Sequence, residues 1–289
     1  MQARTHARFL CVRTALILAT ACGGREPAPA TPVTPQVDAT DAPKPAGSEQ
    51  TSKPAAQPMY DVDFVEAKVA PNPATVPKVS IDVPGYDQFI PSSLLDATKV
   101  RFKVKNWSDM PEGSYIQFIL DNRPYRPVAG PSENVMLKDL AGPNGLQEGE
   151  HIIAAYVSRK NQESVKADAA IAVRRFFFGK RSPGGWNVSK GPLLIVGSPH
   201  STYSGEDPLF DFFVLNAVLS EKEYSIKAVV KGPGIKPEGI RRIISSWKPW
   251  ILLSAHNGDY TIEADLLDAN GDVVPGAWNS FARTFTVKR

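Results

Sequence analysis

Phe102-x-Val104-x-Asn106 recurs 110 residues later as Phe212-x-Val214-x-Asn216. Tyr115 matches Tyr224 and Pro124 matches Pro233, now at an offset of 109. "GEHIIAAYV" (149–157) aligns with "GDYTIEADL" (258–266), and Arg174-x-Phe176 with Arg283-x-Phe285, at the same offset. Four separated blocks in one register, slipping by a single residue, mark a tandem duplication with units near 78–180 and 190–289. Whatever folds here must fold on one plan twice.

Each unit reads as strands. In "VRFKVKN" (100–106) Val100, Phe102 and Val104 alternate with Arg101, Lys103 and Lys105, a period of two with one dry and one wet face. "YIQFIL" (115–120), "VMLKDL" (135–140), "HIIAAYV" (151–157) and "AIAVRRFFF" (170–178) follow. The second unit offers "LLIVG", "FDFFVLNAVL", "YSIKAVV", "WILL", "YTIEADLL" and "FARTFTV". One stretch, "EGIRRIISSW" (238–247), puts Ile240, Ile243, Ile244 and Trp247 at helical spacing, and reads equally as a strand with its flank. Short strands between turn signals over about 100 residues predict an immunoglobulin-like or fibronectin-type sandwich. The expected fold class is all-β, with two tandem immunoglobulin-like β-sandwiches at 61–180 and 190–289. "GKRSPGGWNVSKGP" (179–192) is the natural joint between them, short enough to let the sandwiches bend over a limited range.

The front of the chain carries different information. Residues 1–13 hold three arginines, and residues 14–21 are mostly small or apolar, with Leu16, Ile17 and Leu18 at the centre. This is the layout of a secretory signal, 1–21. The uncharged run is far short of the roughly 20 residues a membrane-spanning helix needs. Ala19-Thr20-Ala21-Cys22 resembles a bacterial lipobox, although Ala19 stands where that motif usually has leucine. The resemblance implies cleavage before Cys22 and acylation of its thiol. Ala19-Thr20-Ala21 is also a site for the ordinary signal peptidase, which would cut the same bond. Cys11 leaves with the signal, so Cys22 has no disulfide partner, and acylation would remove the hazard of a lone exported thiol. Gly23 follows the cysteine; in Gram-negative lipoproteins an aspartate there marks inner-membrane retention, so the resemblance points to the outer membrane, facing either the periplasm or the surface.

Residues 22–60 are rich in proline and alanine and lack apolar periodicity, so little could be buried to offset ordering entropy. A disordered linker is expected, reaching on the order of 100 Å if extended as polyproline II. It reads either as a spacer or as a leader of no required length. Arg4, Arg8 and Arg13 precede Cys22 and no acid does, so a chain cut there has equal numbers of basic and acidic residues. That balance gives no electrostatic case for nucleic acid or for an acidic membrane surface. Leu146, Gly149–His151, Ile153 and Ala155 resemble the turn-and-strand start common in immunoglobulin-like modules of bacterial envelope lipoproteins. That resemblance spans about 78–289 and brings no catalytic residues with it.

The chain carries few residue patterns with a recognisable chemistry. No H-E-x-x-H, C-x-x-C, G-x-S-x-G or P-loop pattern exists. The glycines of "GPGIKPEG" (232–239) miss the dinucleotide fingerprint and read as a turn. "DANGD" (268–272) alternates oxygen ligands as calcium loops do, but Val273 replaces the loop glycine and Asn270-Gly271 suits a type I′ hairpin. His151, His200 and His256 have no second histidine at metal spacing, and His151 aligns with Tyr260 as an aromatic strand-start residue. No catalytic residue, metal or cofactor is expected.

The tryptophans are the remaining lead. Trp247 and Trp250 flank Lys248-Pro249, while Trp107, Trp186 and Trp278 lie near strand ends or loops. Exposed on a sandwich, Trp247, Trp250 and Trp278 could stack on sugars or dock a partner; buried, they are core. "KNQESVK" (160–166) and "VPGAWNSFAR" (274–283) occupy matching loops and would share one sandwich end, where binding loops often lie. Three functions fit these features. The first is a non-catalytic, lipid-anchored envelope protein that binds a protein or envelope partner or acts as a spacer. The second is a carbohydrate-binding lipoprotein using exposed tryptophans, and the third an enzyme with an unrecognised site.

Overall fold

The alternating "KVRFKVK" forms β4 (Lys99–Lys105), with Val100 buried and Lys99, Arg101, Lys103 and Lys105 exposed. Around it the computed structural model, which describes residues 59–181 and 190–289, builds an immunoglobulin-like sandwich. One sheet orders β2 (Lys78–Val83), β4 and β7 (Val135–Met136). The other orders β3 (Gln88–Ile90), β9 (Ile171–Phe178), β8 (Gly149–Ser158), β5 (Tyr115–Leu120) and β6 (Arg126–Val128). The opening strand is split, with β2 antiparallel to β4 and β3 parallel to β9. Cys22 and Trp186 lie outside the described residues. Among the described residues, no helix is long and apolar enough to cross a membrane.

The second unit repeats the plan. β10 (Leu193–Ser198), β12 (Leu209–Leu215) and β15 (Trp250–Leu253) match β2, β4 and β7, and β11 (Thr202–Ser204) runs parallel to β17 (Ser280–Lys288). β16 (Gly258–Leu267), β13 (Ser225–Lys231) and β14 (Ile240–Ile244) complete its other sheet. The duplicated asparagines do the same work in both copies. Asn106 and Asn216 sit at φ 60° and 56°, a left-handed conformation that asparagine tolerates. Each Nδ2 donates at 2.9 Å to a carbonyl just before the unit's first strand, Val76 or Gly191.

Two expected elements differ. "VMLKDL" is a strand only at Val135–Met136 and then turns into α1 (Leu137–Ala141). Leu137, Leu140 and Ala141 fall one helical turn apart and are buried, and Gly142, at φ 70°, ends the turn. "EGIRRIISSW" takes its strand alternative: Ile240–Ile244 pairs in register with β13, which forces a period of two on the isoleucines.

The domain boundary also moves. The first sandwich is expected to begin at residue 61, but β1 (Asp63–Glu66) lies outside it. β1 pairs antiparallel with β15 of the second, Phe64 opposite Leu252. The reason is burial: Val62 and Phe64 enter the second sandwich's core, whereas the first sandwich closes the same flank with α1.

The largest departure is the joint. The two sandwiches are stacked sheet on sheet. In β8, Ile153 and Ala155 face the first core, and Ile152, Ala154 and Tyr156 face outward into a third apolar cluster. In β10, Leu194 and Val196 face the second core while Leu193 and Ile195 enter that same third cluster, joined by Ile119, Ile171, Phe213 and Trp278. Exposing three such side chains would cost about 5–9 kcal/mol, so this contact holds the sandwiches together. The described residues accordingly belong to one compact unit.

Candidate functional site

The stacked junction is the most elaborate site in the molecule. The loop between β8 and β9 supplies its polar part. Arg159 N donates to Glu163 O at 2.9 Å and Gln162 N to Arg159 O at 2.9 Å, a three-residue hairpin loop with Gln162 at φ 71°. The second sandwich has the same loop at Asp268–Asp272, with Gly271 at φ 83° in the equivalent place. A left-handed glutamine is strained where glycine is not. What holds Gln162 there is its side chain: Oε1 accepts from Ser198 Oγ at 3.3 Å and from the Tyr203 hydroxyl at 3.2 Å. The far end of its amide contacts His200 Nε2 at 2.8 Å.

Charged groups lock the same contact. Lys166 Nζ lies 2.8 Å from Asp211 Oδ1, with the two side chains 8% and 1% exposed. The ammonium also sits 5.0 Å from the ring centroids of Phe212 and Phe213. Arg283 is buried without a carboxylate partner among the described residues. Its Nη1 donates to the carbonyls of Gly197 (3.2 Å) and Pro199 (2.7 Å), and its Nη2 reaches across to Asn122 O (3.2 Å). Burial pulls its pKa down to about 10, opposed by the neighbouring Tyr156, Tyr203 and Tyr125. Gly197 is required by closeness, since a Cβ there would stand 1.8 Å from the Tyr156 hydroxyl oxygen. The matching loops are engaged only in part: Gln162, Ser164 and Lys166 of 160–166 dock on the second sandwich and Trp278 of 274–283 is buried in the contact, while Lys160, Asn161 and Pro275–Ala277 stay exposed.

The three tryptophans do not form a common face. Trp278 is 3% exposed inside the junction cluster and cannot reach a ligand. Trp250 is half-buried, 5.3 Å from the Phe64 ring, with its Nε1 buried and unpaired among the described residues. Trp247 alone lines an open cleft, of about 1000 Å³, between Asp168 and Val173 of the first sandwich and Val214–Leu219 of the second. Its ring meets Phe213 edge-on at 6.2 Å. A smaller groove of about 610 Å³ lies on the first sandwich beside the Arg126–Asp139 ion pair. Each of these two clefts holds a single carboxylate, Asp168 or Asp139.

The histidines are engaged structurally. His151 Nδ1 meets Asp121 Oδ2 at 2.6 Å and its Nε2 meets Gln147 O at 2.7 Å. Burial alone would lower its pKa, but Asp121 and the Gln147 carbonyl outweigh burial and raise it. His200 stacks on Tyr203 at 4.1 Å, and burial lowers its pKa. His256 pairs with Asp61 at 2.7 Å. In "DANGD" the Asp268 carboxylate is spent on the turn, accepting the N–H groups of Asn270 (2.8 Å) and Asp272 (3.0 Å). The turn is not type I′, because only Gly271 of the central pair has positive φ. Among the described residues no three histidines, cysteines or acids gather as a metal site.

Sequence reasoning named the loops that hold Gln162, Lys166 and Arg283 without singling out these side chains, and missed Asp211. A signal existed in the runs "IQFIL", "HIIAAYV" and "LLIVG", which lack alternation because both faces of their strands are buried.

No protein-family model matches the chain, and no curated protein sequence matches it. Among solved structures it is similar to the fibronectin(III)-like modules of Clostridium thermocellum CbhA, at 13% identity and a TM-score of 0.25, over 73% of this chain and 94% of that one. It is similar to the D00-D0 domain of intimin, at 10% identity and TM-score 0.20, over 73% and 100% of the two chains. It is also similar to a partial N-terminal region of the enterococcal surface protein, at 8% and 0.25, over 79% and 100%. At such identities and TM-scores these likenesses carry no argument about what the chain does.

Proposed function

We propose that this chain is a non-catalytic, lipid-anchored protein of the bacterial cell envelope, which presents a rigid two-sandwich body to a protein or envelope partner. The observation that carries the reading is the junction. Nine buried apolar residues from both units, with Lys166–Asp211 and Arg283, commit the sheet faces and interior to holding a fixed shape. The lipobox-like Ala19-Thr20-Ala21-Cys22 and the Pro/Ala-rich tract supply an anchor and a tether, and Gly23 favours the outer membrane. The test has two arms. Labelling cells with a fatty-acid analogue should mark the wild-type chain and not Cys22→Ser; equal labelling, or none in either, refutes the anchor. In-cell crosslinking of the anchored chain should capture a discrete envelope partner, and capture should be lost when Lys166→Met loosens the junction. Capture that survives loosening refutes the rigid-body role.

One observation favours a second reading, glycan binding: Trp247 is half-exposed in a cleft wide enough for a sugar. Trp278 is buried and Trp250 does not line that cleft, so a glycan site there is built on a single ring. Tryptophan emission titrated with envelope glycans should change in the wild type and not in Trp247→Ala; no change with any glycan refutes it.

A further inference from the structure

The second sandwich holds a strand that its own sequence does not supply. Its front sheet runs β1-β15-β12-β10, and β1 comes from before the first sandwich. The first sandwich, built on the same plan, has only β2-β4-β7 in the corresponding sheet among the described residues. The difference arises just after β7 and β15. In the first sandwich the chain coils at once into α1, and Leu137, Leu140 and Ala141 fill the core flank. In the second it stays extended to Leu253, leaving a strand edge and a core flank for something else to cover.

What covers it has a defined chemistry. Residues 61–66 read Asp-Val-Asp-Phe-Val-Glu. Val62 and Phe64 point inward, 8% and 1% exposed. The acids meet three basic groups of the second sandwich. Asp61 lies 2.7 Å from His256 Nε2, Asp63 2.8 Å from Arg242 Nη2, and Glu66 2.5 Å from Lys248 Nζ. Arg242 Nε also donates to Phe64 O at 2.9 Å, closing the strand's outer side. Backbone pairing with an edge, side-chain pockets at alternate positions and charge complementarity are the elements of peptide recognition by strand addition.

We infer that the second sandwich carries an acceptor groove for an acidic, extended peptide of the pattern acid-apolar-acid-apolar, and that residues 61–66 are its resident, separable ligand. The groove consists of the β15 edge, the flank of the core beside Trp250 and Leu252, and the row His256, Arg242 and Lys248. Because residues 61–66 end the Pro/Ala-rich tract, occupancy of the groove couples that tract to the second sandwich and not to its sequence neighbour, the first.

The test uses the chain from Cys22 to Arg289 with a protease site inserted after Lys68, which is exposed and outside any strand. After cutting, the fragment ending at Lys68 should co-elute with the body. A synthetic peptide of residues 59–68 in excess should displace it while the second sandwich stays folded. A Phe64→Ala peptide should compete on the order of a hundredfold more weakly, and high salt should weaken both. Tryptophan emission, compared between the wild type and Trp250→Phe because Trp250 packs 5.3 Å from the Phe64 ring, reports occupancy independently of elution. The inference is overturned if the fragment leaves on cutting and the body then takes up no peptide. It is equally overturned if the fragment is released only by denaturant, which would make it a fixed core strand, or if the Phe64→Ala peptide competes as well as the native one. The outcome does not depend on acylation of Cys22, so it stands or falls apart from the anchor.

Discussion

Lys166 is the place where the junction can be broken with one atom group. Its ammonium is 2.8 Å from Asp211 Oδ1, and neither side chain has appreciable access to water. Replacing Lys166 by methionine keeps most of the aliphatic volume against Phe212 and Phe213, so little of the effect is lost packing. What remains is a carboxylate 1% exposed, held by the Ser164 N–H at 3.2 Å. Breaking a buried pair from one side costs about 3–5 kcal/mol, because the abandoned charge has no counter-ion and little water and keeps only the Ser164 N–H. Lys166→Met should therefore lose about that much in urea unfolding of the mature chain, followed by tryptophan emission, since Trp278 and Trp247 lie at or beside the contact. Adding Asp211→Asn removes the stranded charge and leaves an oxygen for Ser164 N–H. The double variant should recover at least half of the loss. A single-variant loss below about 1 kcal/mol would mean that the pair is wet, as surface pairs are, and that the sheets do not close on each other. A double variant no better than the single would mean that charge burial is not the source.

Gly197→Ala forces a methyl group against the Tyr156 hydroxyl and should cost about 1–3 kcal/mol by overpacking; Tyr156→Phe in the same chain should return part of it in a thermal melt. Gln162→Gly relieves a left-handed backbone but deletes the bonds to Ser198 and Tyr203, so global stability should move by less than about 1 kcal/mol while amide exchange quickens at residues 197–203. A large gain would show that the side-chain bonds contribute nothing. His151 and His200 should act in opposite directions. The His200 pKa is lowered in the fold, so stability should fall as pH drops through the unfolded value of 6.5, and His200→Gln should remove that loss. The His151 pKa is raised by Asp121, so its contribution is full below 6.5 and fades as pH rises through the folded value; His151→Gln should flatten that limb. Urea midpoints measured from pH 5 to 8 decide both.

The repeat and most strands were legible because they depend on local alternation, as in "VRFKVKN", and on residues with local duties, such as Asn106 and Asn216. "VMLKDL" misled because an apolar-polar run of six fits either a strand or one helical turn, and the choice lay with Gly142 and the core beneath. The junction was legible only in part. Unbroken apolar runs in β5, β8 and β10 announce two-sided burial, yet nothing in them names the covering sheet. Trp278 could not be told from an exposed tryptophan, since ring chemistry is the same in a loop and in a core. The partner of Asp63–Glu66 had no local trace at all: it lies beyond an entire sandwich, and its fit rests on charges at Arg242, Lys248 and His256.

The position of β1 in the chain has a consequence for how the protein is made. Val62 and Phe64 emerge early, but Trp250–Leu253, the strand they pair with, follows only about 190 residues later. At 5–20 residues per second that is an interval on the order of ten to forty seconds. Throughout it β1 has no partner strand, and the outer face of β8 still lacks the complete sheet that covers it. The body is finished only when its last third has been synthesised, and the closing event joins the start of the described fold to the same corner where Arg289 bonds to Ala255 and Asn257. A chain shortened anywhere before residue 250 would thus leave both its beginning and its end unsealed.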